Sequence, residues 1–434
     1  MNVISVVAYL LIILALVSSI FVVFRLRREP LAYVFILIVM LYVLIGPYLN
    51  SFSKTSAEIN IYYLYQSLVL LLFYIPFCWF MVLAVNARTK SYGGQPVYKA
   101  VKLSVVLPCI LLLLLCYFWM TVLDYNLLFR RLGHNGLYEA SAAVPKLQLY
   151  IYRMTVESSF FVVLVLKSTM VFCDDKTKYI KFYRLVNALY IVSFIVYFGI
   201  NSRMQLLIFF LMFGISYIVL TGSKTEKKWT HIILWVPLLL ITATLLRELV
   251  FEDNARLEIN SMLSTLGNVI FMIAARVDIL TIFYELEASG YSPLSVNLTG
   301  YMQSIYFMFS FFFDPEYYDS VKQSLQTSSS VITVIDITDS AATIDFPKSI
   351  VADTILTFGC LGLLFLAGVY SSIIKYVIAQ MTIERAFKFS WFFAAFLIPI
   401  LLQFEKELLG IFFSIAKWSP VLLLVLFYKP KFRV

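Results

Sequence analysis

Eleven runs of apolar residues, each close to the length that crosses a lipid bilayer, set the terms for this chain. They lie near 3–24, 31–49, 61–85, 103–123, 148–172, 183–200, 204–221, 231–249, 350–374, 389–404 and 408–427. A crossing helix needs about 20 mostly apolar residues, because the hydrocarbon layer is about 30 Å thick and a helix rises about 1.5 Å per residue. No water reaches that layer, so every backbone polar group must be bonded inside the protein, which a helix achieves within its own segment. Composition agrees: 62% of the 434 residues are hydrophobic and 14% are charged, whereas a soluble domain is about half apolar and a quarter charged. Mean hydropathy is +0.89. These values exclude a water-soluble enzyme. An outer-membrane barrel is excluded too, since barrel strands alternate in polarity and are only about ten residues long. The expected fold is all-α: a polytopic integral membrane helix bundle of about 11 transmembrane helices, within a range of 11–14.

The basic residues orient the bundle. Clusters follow the first run (Arg25, Arg27, Arg28), the third (Arg88, Lys90, Lys99, Lys102), the fifth (Lys176, Lys178, Lys181, Arg184), the seventh (Lys224, Lys227, Lys228), the ninth (Lys375, Arg385, Lys388) and the last (Lys429, Lys431, Arg433). All fall on one side if the N-terminus lies outside, and basic loops stay in the cytoplasm. The formal net charge of +9 is therefore assigned to cytoplasmic loops and not to nucleic-acid binding. The first run is too long for a signal-peptide core and has its charges after it, so it reads as a retained span.

The same orientation puts 50–60, 124–147, the link Asn201-Ser202-Arg203 and the region 250–349 outside. Three segments result: 1–249 with helices one to eight, 250–349 as a large outer loop region, and 350–434 with helices nine to eleven. The outer region has Asp and Glu well in excess of Lys and Arg, and two semi-apolar stretches, 262–282 and 296–313. These are short re-entrant or interfacial helices, or a further pair of crossings. The link between them carries Glu285 and Glu287 but no basic residue, which favours the first reading. The stretch 326–342, rich in Ser, Thr and Asp, reads as an outer loop.

Outward-facing arginines are the exception to the basic-inside bias. Arg203 sits at the outer junction of runs six and seven, Arg247 and Arg256 follow run eight, and Arg276 lies in the first semi-apolar stretch. Each has an ordinary explanation as the partner of a nearby acid, such as Glu248, Glu252, Asp253, Glu258 or Asp278. Together they also fit a cationic site for an anionic substrate, because the planar guanidinium fork matches phosphate oxygens and stays charged. Arg153 and Glu157 lie one turn apart near the outer end of run five and can pair along a helix face or line the same cavity. Lys167 and Lys417 lie within runs five and eleven. Outer tyrosines, Tyr301, Tyr306, Tyr317 and Tyr318, can stack on sugar rings, although most aromatic residues in such a chain serve as interfacial belt and packing.

The rest of the inventory is plain. The five cysteines, Cys78, Cys109, Cys116, Cys173 and Cys360, have no partners at zinc spacing and read as small buried side chains. The two histidines, His134 and His231, form no catalytic set. No convincing strand is present, so no glycine-rich phosphate loop follows one. Nothing in the sequence calls for a metal or cofactor.

Three features resemble the Wzy-type O-antigen polymerases. One is the architecture, many spans with a large outer loop in the C-terminal half. Another is an Arg followed after ten residues by a Gly, which occurs in RMQLLIFFLMFG (Arg203 to Gly214) and RLEINSMLSTLG (Arg256 to Gly267). The last is FPKSIVADTILTFGCLG, 346–362, similar to the family's segment leading into the span after the large loop, with Asp353 some turns before Phe-Gly. Gly214 falls inside run seven, where a glycine also serves helix packing.

The resemblance implies an integral-membrane glycosyltransferase in the bacterial inner membrane. Its N-terminus would be periplasmic and its C-terminus cytoplasmic. It would pass a growing glycan from undecaprenyl diphosphate to the non-reducing end of a new lipid-linked repeat unit, as in lipopolysaccharide or other polysaccharide biosynthesis. A chain-length regulator protein is a further implied partner. Charge builds on the diphosphate as it leaves, and preplaced cations stabilise it. Arg256 and Arg203, then Arg276, are the candidates; Asp278, Glu258 and Glu157 are candidate bases, with Asp253 and Asp353 weaker. Arg153, Arg247, Tyr301 and Tyr306 are candidate substrate contacts. Two rivals are weighed. An O-antigen ligase resembles enzymes that use a His in the large outer loop, and 250–349 has none. A polysaccharide flippase would show paired halves, and no internal repeat is found.

Overall fold

The structure, a computed structural model, describes residues 3–26, 30–52, 56–85, 99–102, 105–121, 155, 161–163, 165–166, 179–200, 279–280, 306, 310, 313–314, 316–317, 350–381, 389–402, 404, 411, 415, 419, 422–423 and 431–433. Its long elements are helices on the expected apolar runs. They are α1 (Val3–Arg25), α2 (Pro30–Met40), α3 (Gly46–Ser51), α4 (Ser56–Val69), α5 (Ile75–Val85), α6 (Val106–Thr121), α7 (Ile180–Ile200), α8 (Ile350–Gln380) and α9 (Phe389–Leu401). Among the described residues, four helices are long and apolar enough to cross a bilayer: Ile4–Arg25, Leu31–Ser51, Ile59–Leu83 and Phe358–Gln380. The chain thus has the build of a helical membrane protein.

The chain groups into two units. The first holds 1–89, 270–375 and 404–414. Its helix α1 displays the logic of packing in hydrocarbon. Leu10, Ile13, Val17, Ile20 and Phe24, at alternating three- and four-residue steps, are exposed, while Ala8, Ile12, Ala15, Ser19 and Val22 are buried. Large apolar side chains face outward and mostly small ones face inward. Water would drive the large stripe inside. Lipid tails exert no such force, and small residues let neighbouring backbones come close.

Three contacts fasten α1 to the third crossing helix. The Tyr9 and Tyr63 hydroxyls lie 3.1 Å apart. The Ser19 hydroxyl donates to the Ala15 carbonyl at 2.7 Å, which commits its single proton. The Tyr74 hydroxyl therefore donates to Ser19 Oγ, also at 2.7 Å. The Phe21 and Trp79 rings lie 5.6 Å apart. The partners ascend together in sequence, so the two helices run parallel, as the first and third of an up–down–up series must. The Tyr62 hydroxyl donates to the Pro47 carbonyl at 3.0 Å and ties the second crossing to the third.

Both of those crossings contain a π turn. Leu41–Ile45 separates α2 from α3, with the Gly46 N–H bonded to the Leu41 carbonyl. Leu70–Tyr74 separates α4 from α5, with the Ile75 N–H bonded to the Leu70 carbonyl. In each case a proline, Pro47 or Pro76, comes two residues after the turn. Proline lacks an N–H and its ring crowds the carbonyl four residues back, so the wider turn relieves both effects.

An aromatic core fills the unit. Phe404 sets its ring 5.7 Å from Tyr42, 6.0 Å from Phe73 and 5.6 Å from Tyr370. Phe77 stacks on Phe73 at 5.8 Å and meets Tyr370 at 5.9 Å. The Phe404 carbonyl also accepts the Ile350 N–H at 3.3 Å, which satisfies one of the open donors in the first turn of α8. Asp353 lies buried in that first turn, where the helix dipole favours a carboxylate.

The run 350–374, expected as one span, is instead two helical pieces joined at Gly359, whose φ is 67° and ψ −172°. Only glycine adopts that conformation without strain. Gly359→Ala is expected to destabilise the protein by about 1–3 kcal/mol. The thermal midpoint of the purified chain in detergent measures this, and an unchanged midpoint would show that the break does not require glycine.

The second unit holds 90–269, 376–403 and 415–434. Within it α6 packs on α7. Helix α9 is buried from Trp391 to Leu401 apart from Phe393, as expected of a helix apolar on all sides. Phe396 meets Phe161 edge-on at 5.5 Å, and Phe393 stacks between Phe389 and Phe396 at 6.4 Å each. Two findings correct the sequence reading. A short antiparallel pair exists, β1 (Lys99–Lys102) with β2 (Lys431–Arg433); strands of this length carry too little periodicity to stand out beside long apolar runs. And of the described cysteines only Cys78 is buried, Cys116 and Cys360 being partly covered and Cys109 exposed. An apolar run shows that a residue suits hydrocarbon, not which face of the helix it occupies.

Candidate functional site

The residue FFFDPEYY stretch, 311–318, lies in the region that the charge pattern assigns to the outside. Tyr306, Ser310 and Phe313 are helical, Asp314 is not, and Glu316 and Tyr317 are helical again. Asp314 is the corner between two helical pieces. Its own N–H closes the first piece by donating to the Ser310 carbonyl at 2.7 Å. Its Oδ1 accepts the Tyr317 N–H at 3.2 Å, the bond by which an Asp caps the open donors of a helix start. The order Asp-Pro-Glu supports this locally, since Pro suits the first helical position and an acid suits the first turn.

The second carboxylate oxygen holds a tyrosine. The Tyr306 hydroxyl donates to Asp314 Oδ2 at 3.3 Å, and the Tyr306 and Tyr317 rings sit 5.2 Å apart at 60°. Tyr306 is 53% exposed. The Asp314 carboxylate beside it, with smaller contributions from burial, holds the Tyr306 phenol above its ordinary value. Removing that negative neighbour favours the tyrosinate. Asp314→Asn is therefore expected to move Tyr306 ionisation to lower pH, toward that of a free tyrosine. Difference titration of tyrosinate absorbance, with Tyr306→Phe identifying the signal, checks this; coincident curves for wild type and Asp314→Asn would break the assignment.

An exposed aromatic corner next to a carboxylate presents an apolar ring face and an acceptor together. That combination can stack on the C–H face of a sugar while hydrogen-bonding its hydroxyls. Within the cluster the Tyr306 hydroxyl is committed to Asp314, whose other oxygen holds the Tyr317 N–H.

Of the residues named from sequence, Tyr306 and Tyr317 are the ones the structure places in this cluster. Arg203, Arg256, Arg276, Asp278, Glu258, Glu157, Arg153, Arg247 and Tyr301 lie outside the described residues, as do Lys167 and Lys417. Of the two weaker base candidates, Asp253 also lies outside the described residues and Asp353 is buried at the start of α8. Asp314 was not singled out from sequence; the signal for it was the Asp-Pro-Glu capping order after an apolar stretch. Among the described residues no group of three His, Cys, Asp or Glu side chains gathers as a metal site would. Comparison with known proteins finds no family model, no curated protein and no solved structure that matches this chain.

Proposed function

We propose that this chain is a glycan polymerase that joins undecaprenyl-diphosphate-linked oligosaccharide repeat units at the outer face of the bacterial inner membrane. In this reading it crosses about 11 times, with 1–249 and 350–434 forming the membrane bundle and 250–349 the outer region. The observation that carries the reading is the recurrence of Arg followed after ten residues by Gly, at Arg203 and Arg256, both on the side assigned to the outside. Gly is 15 of 434 residues, so two such pairings there are more than composition alone supplies. The corner of exposed Tyr306 against half-buried Tyr317, within the same outer region, supports a glycan as the ligand.

The chemistry follows from the substrate. The bond from anomeric carbon to diphosphate breaks, and the electron pair stays on the phosphate oxygen. Arg256, Arg203 and Arg276 stabilise that charge. The acceptor hydroxyl attacks the anomeric carbon and gives its proton to a carboxylate, for which Asp278, Glu258 and Glu157 are the candidates. Arg153 and Arg247 hold the second diphosphate, and Tyr301 and Tyr306 the sugars. The donor's own bond drives transfer, so no nucleotide is consumed.

The test is the surface glycolipid of a deletion strain in a host that displays its glycan on a lipid core. Loss of the ladder with one repeat unit still on the core is the expected result, and wild type restores the ladder. Core bearing no repeat at all would identify a ligase or a flippase instead.

A further inference from the structure

The two-stranded ribbon joins segments more than 300 residues apart, and every charge it carries is positive. The register sets Lys99 opposite Arg433 and Lys102 opposite Lys431, with Ala100 opposite Phe432. Like charges directly opposite each other destabilise a strand pair, and two strands alone are marginal in water. Neither flank offers compensation: 86–105 adds Arg88 and Lys90, 418–434 adds Lys429, and neither contains Asp or Glu. A pairing of this kind is stable where anions gather around it.

Its position supplies them. Lys102 precedes the start of apolar helix α6 at Val106 by four residues, about 14 Å of extended chain at most. Lys429 follows the apolar run 408–427 directly. Both strands are therefore tethered within reach of the bilayer surface, where a cluster of four or more Lys and Arg residues beside a spanning helix attracts anionic headgroups.

We propose that β1 and β2 together form one binding site for the phosphodiester headgroup of an anionic phospholipid, and that the lipid's charge is what lets these strands pair. The site takes lipid headgroups and not free phosphate, because the bilayer keeps its anions at a fixed, high local density while phosphate must be captured from dilute solution. The proposal rests on α6 and the run 408–427 crossing the membrane, as the sequence reading has them, and is independent of the glycan reading.

The experiment uses the full chain in neutral detergent, titrated with phosphatidylglycerol or with phosphatidylcholine, and bound lipid counted by native mass spectrometry. Wild type is expected to prefer phosphatidylglycerol, with a preference that falls as salt rises. Each basic residue near a headgroup layer contributes about fivefold. Changing Lys99, Lys102, Lys431 and Arg433 together to Gln is thus expected to cut the preference at least about tenfold even after screening. Changing the same lysines to Arg should keep it.

One ribbon, as opposed to two separate basic tails, makes a further demand. The pair Lys99→Gln with Lys102→Gln and the pair Lys431→Gln with Arg433→Gln should each lose most of what the fourfold variant loses, so that the product of their effects exceeds it. A product equal to the fourfold effect overturns the shared site. If the fourfold variant does not fold, the two pairs and the wild-type salt series decide the matter. A fourfold variant with wild-type preference overturns the proposal, and so does inorganic phosphate displacing phosphatidylglycerol at equal concentration.

Discussion

Arg256→Ala is expected to slow repeat-unit transfer by at least about a hundredfold, the typical loss when one preorganised donor to a developing oxyanion is removed. In cells the long glycan ladder collapses to a single repeat on the core, while immunoblotting shows the protein still present in the membrane. On the proposed reading the size follows from where the charge develops: a guanidinium at the leaving diphosphate would act on charge that appears only as the bond breaks. It therefore lowers the barrier without merely tightening substrate binding. Arg256→Lys should recover part of the activity, because the charge returns but the two-pronged geometry does not. Arg203→Ala should behave in the same direction. A full-length ladder from Arg256→Ala at normal protein level would remove this residue, and the cationic site built on it, from the mechanism.

Phe404→Ala is expected to destabilise the first unit by about 2–4 kcal/mol. In water, deletion of a buried Phe costs about 3–5 kcal/mol, much of it from returning apolar surface to solvent. Within a bilayer that part shrinks, because lipid tails are as apolar as the core. What remains is ring packing, and Phe404 meets three rings, Tyr42, Phe73 and Tyr370, at about 0.5–1.5 kcal/mol per pair. Its carbonyl bond to Ile350 belongs to the backbone and survives the substitution. Phe404→Tyr should be nearly neutral if the added hydroxyl finds a partner, and Phe404→Leu intermediate. Denaturation of the purified chain by anionic detergent gives the difference, and wild-type resistance in Phe404→Ala would show that the cluster does not hold these helices together.

The candidate site was partly legible in advance. Tyr306 and Tyr317 were both legible as outer tyrosines suited to sugars, and the structure sets their rings against each other with Tyr306 on a carboxylate. Asp314 went unnoticed because its role is double. The capping order Asp-Pro-Glu is local and readable, but the bond from its other oxygen to Tyr306 depends on how the chain turns at that corner. The π turns ahead of Pro47 and Pro76 were not anticipated: two prolines inside apolar runs mark a disturbed helix, but which turn relieves it is decided in the folded chain. The expectation of buried cysteines failed at Cys109 because nothing within its run distinguishes one helix face from another.

By itself the sequence determined that long stretches of this chain are helical and suited to a bilayer, because a run of apolar residues in hydrocarbon has no other way to satisfy its backbone. Tertiary structure alone decided which stripe of α1 turns inward, that Phe404 closes a core built by residues near 42, 73 and 370, and that Lys99 lies opposite Arg433. Hydropathy sums over a window and is the same for every rotation of the helix. Facing, convergence and strand register are set by partners far away in the chain, and in lipid they follow from side-chain size and hydrogen bonding, not from polarity.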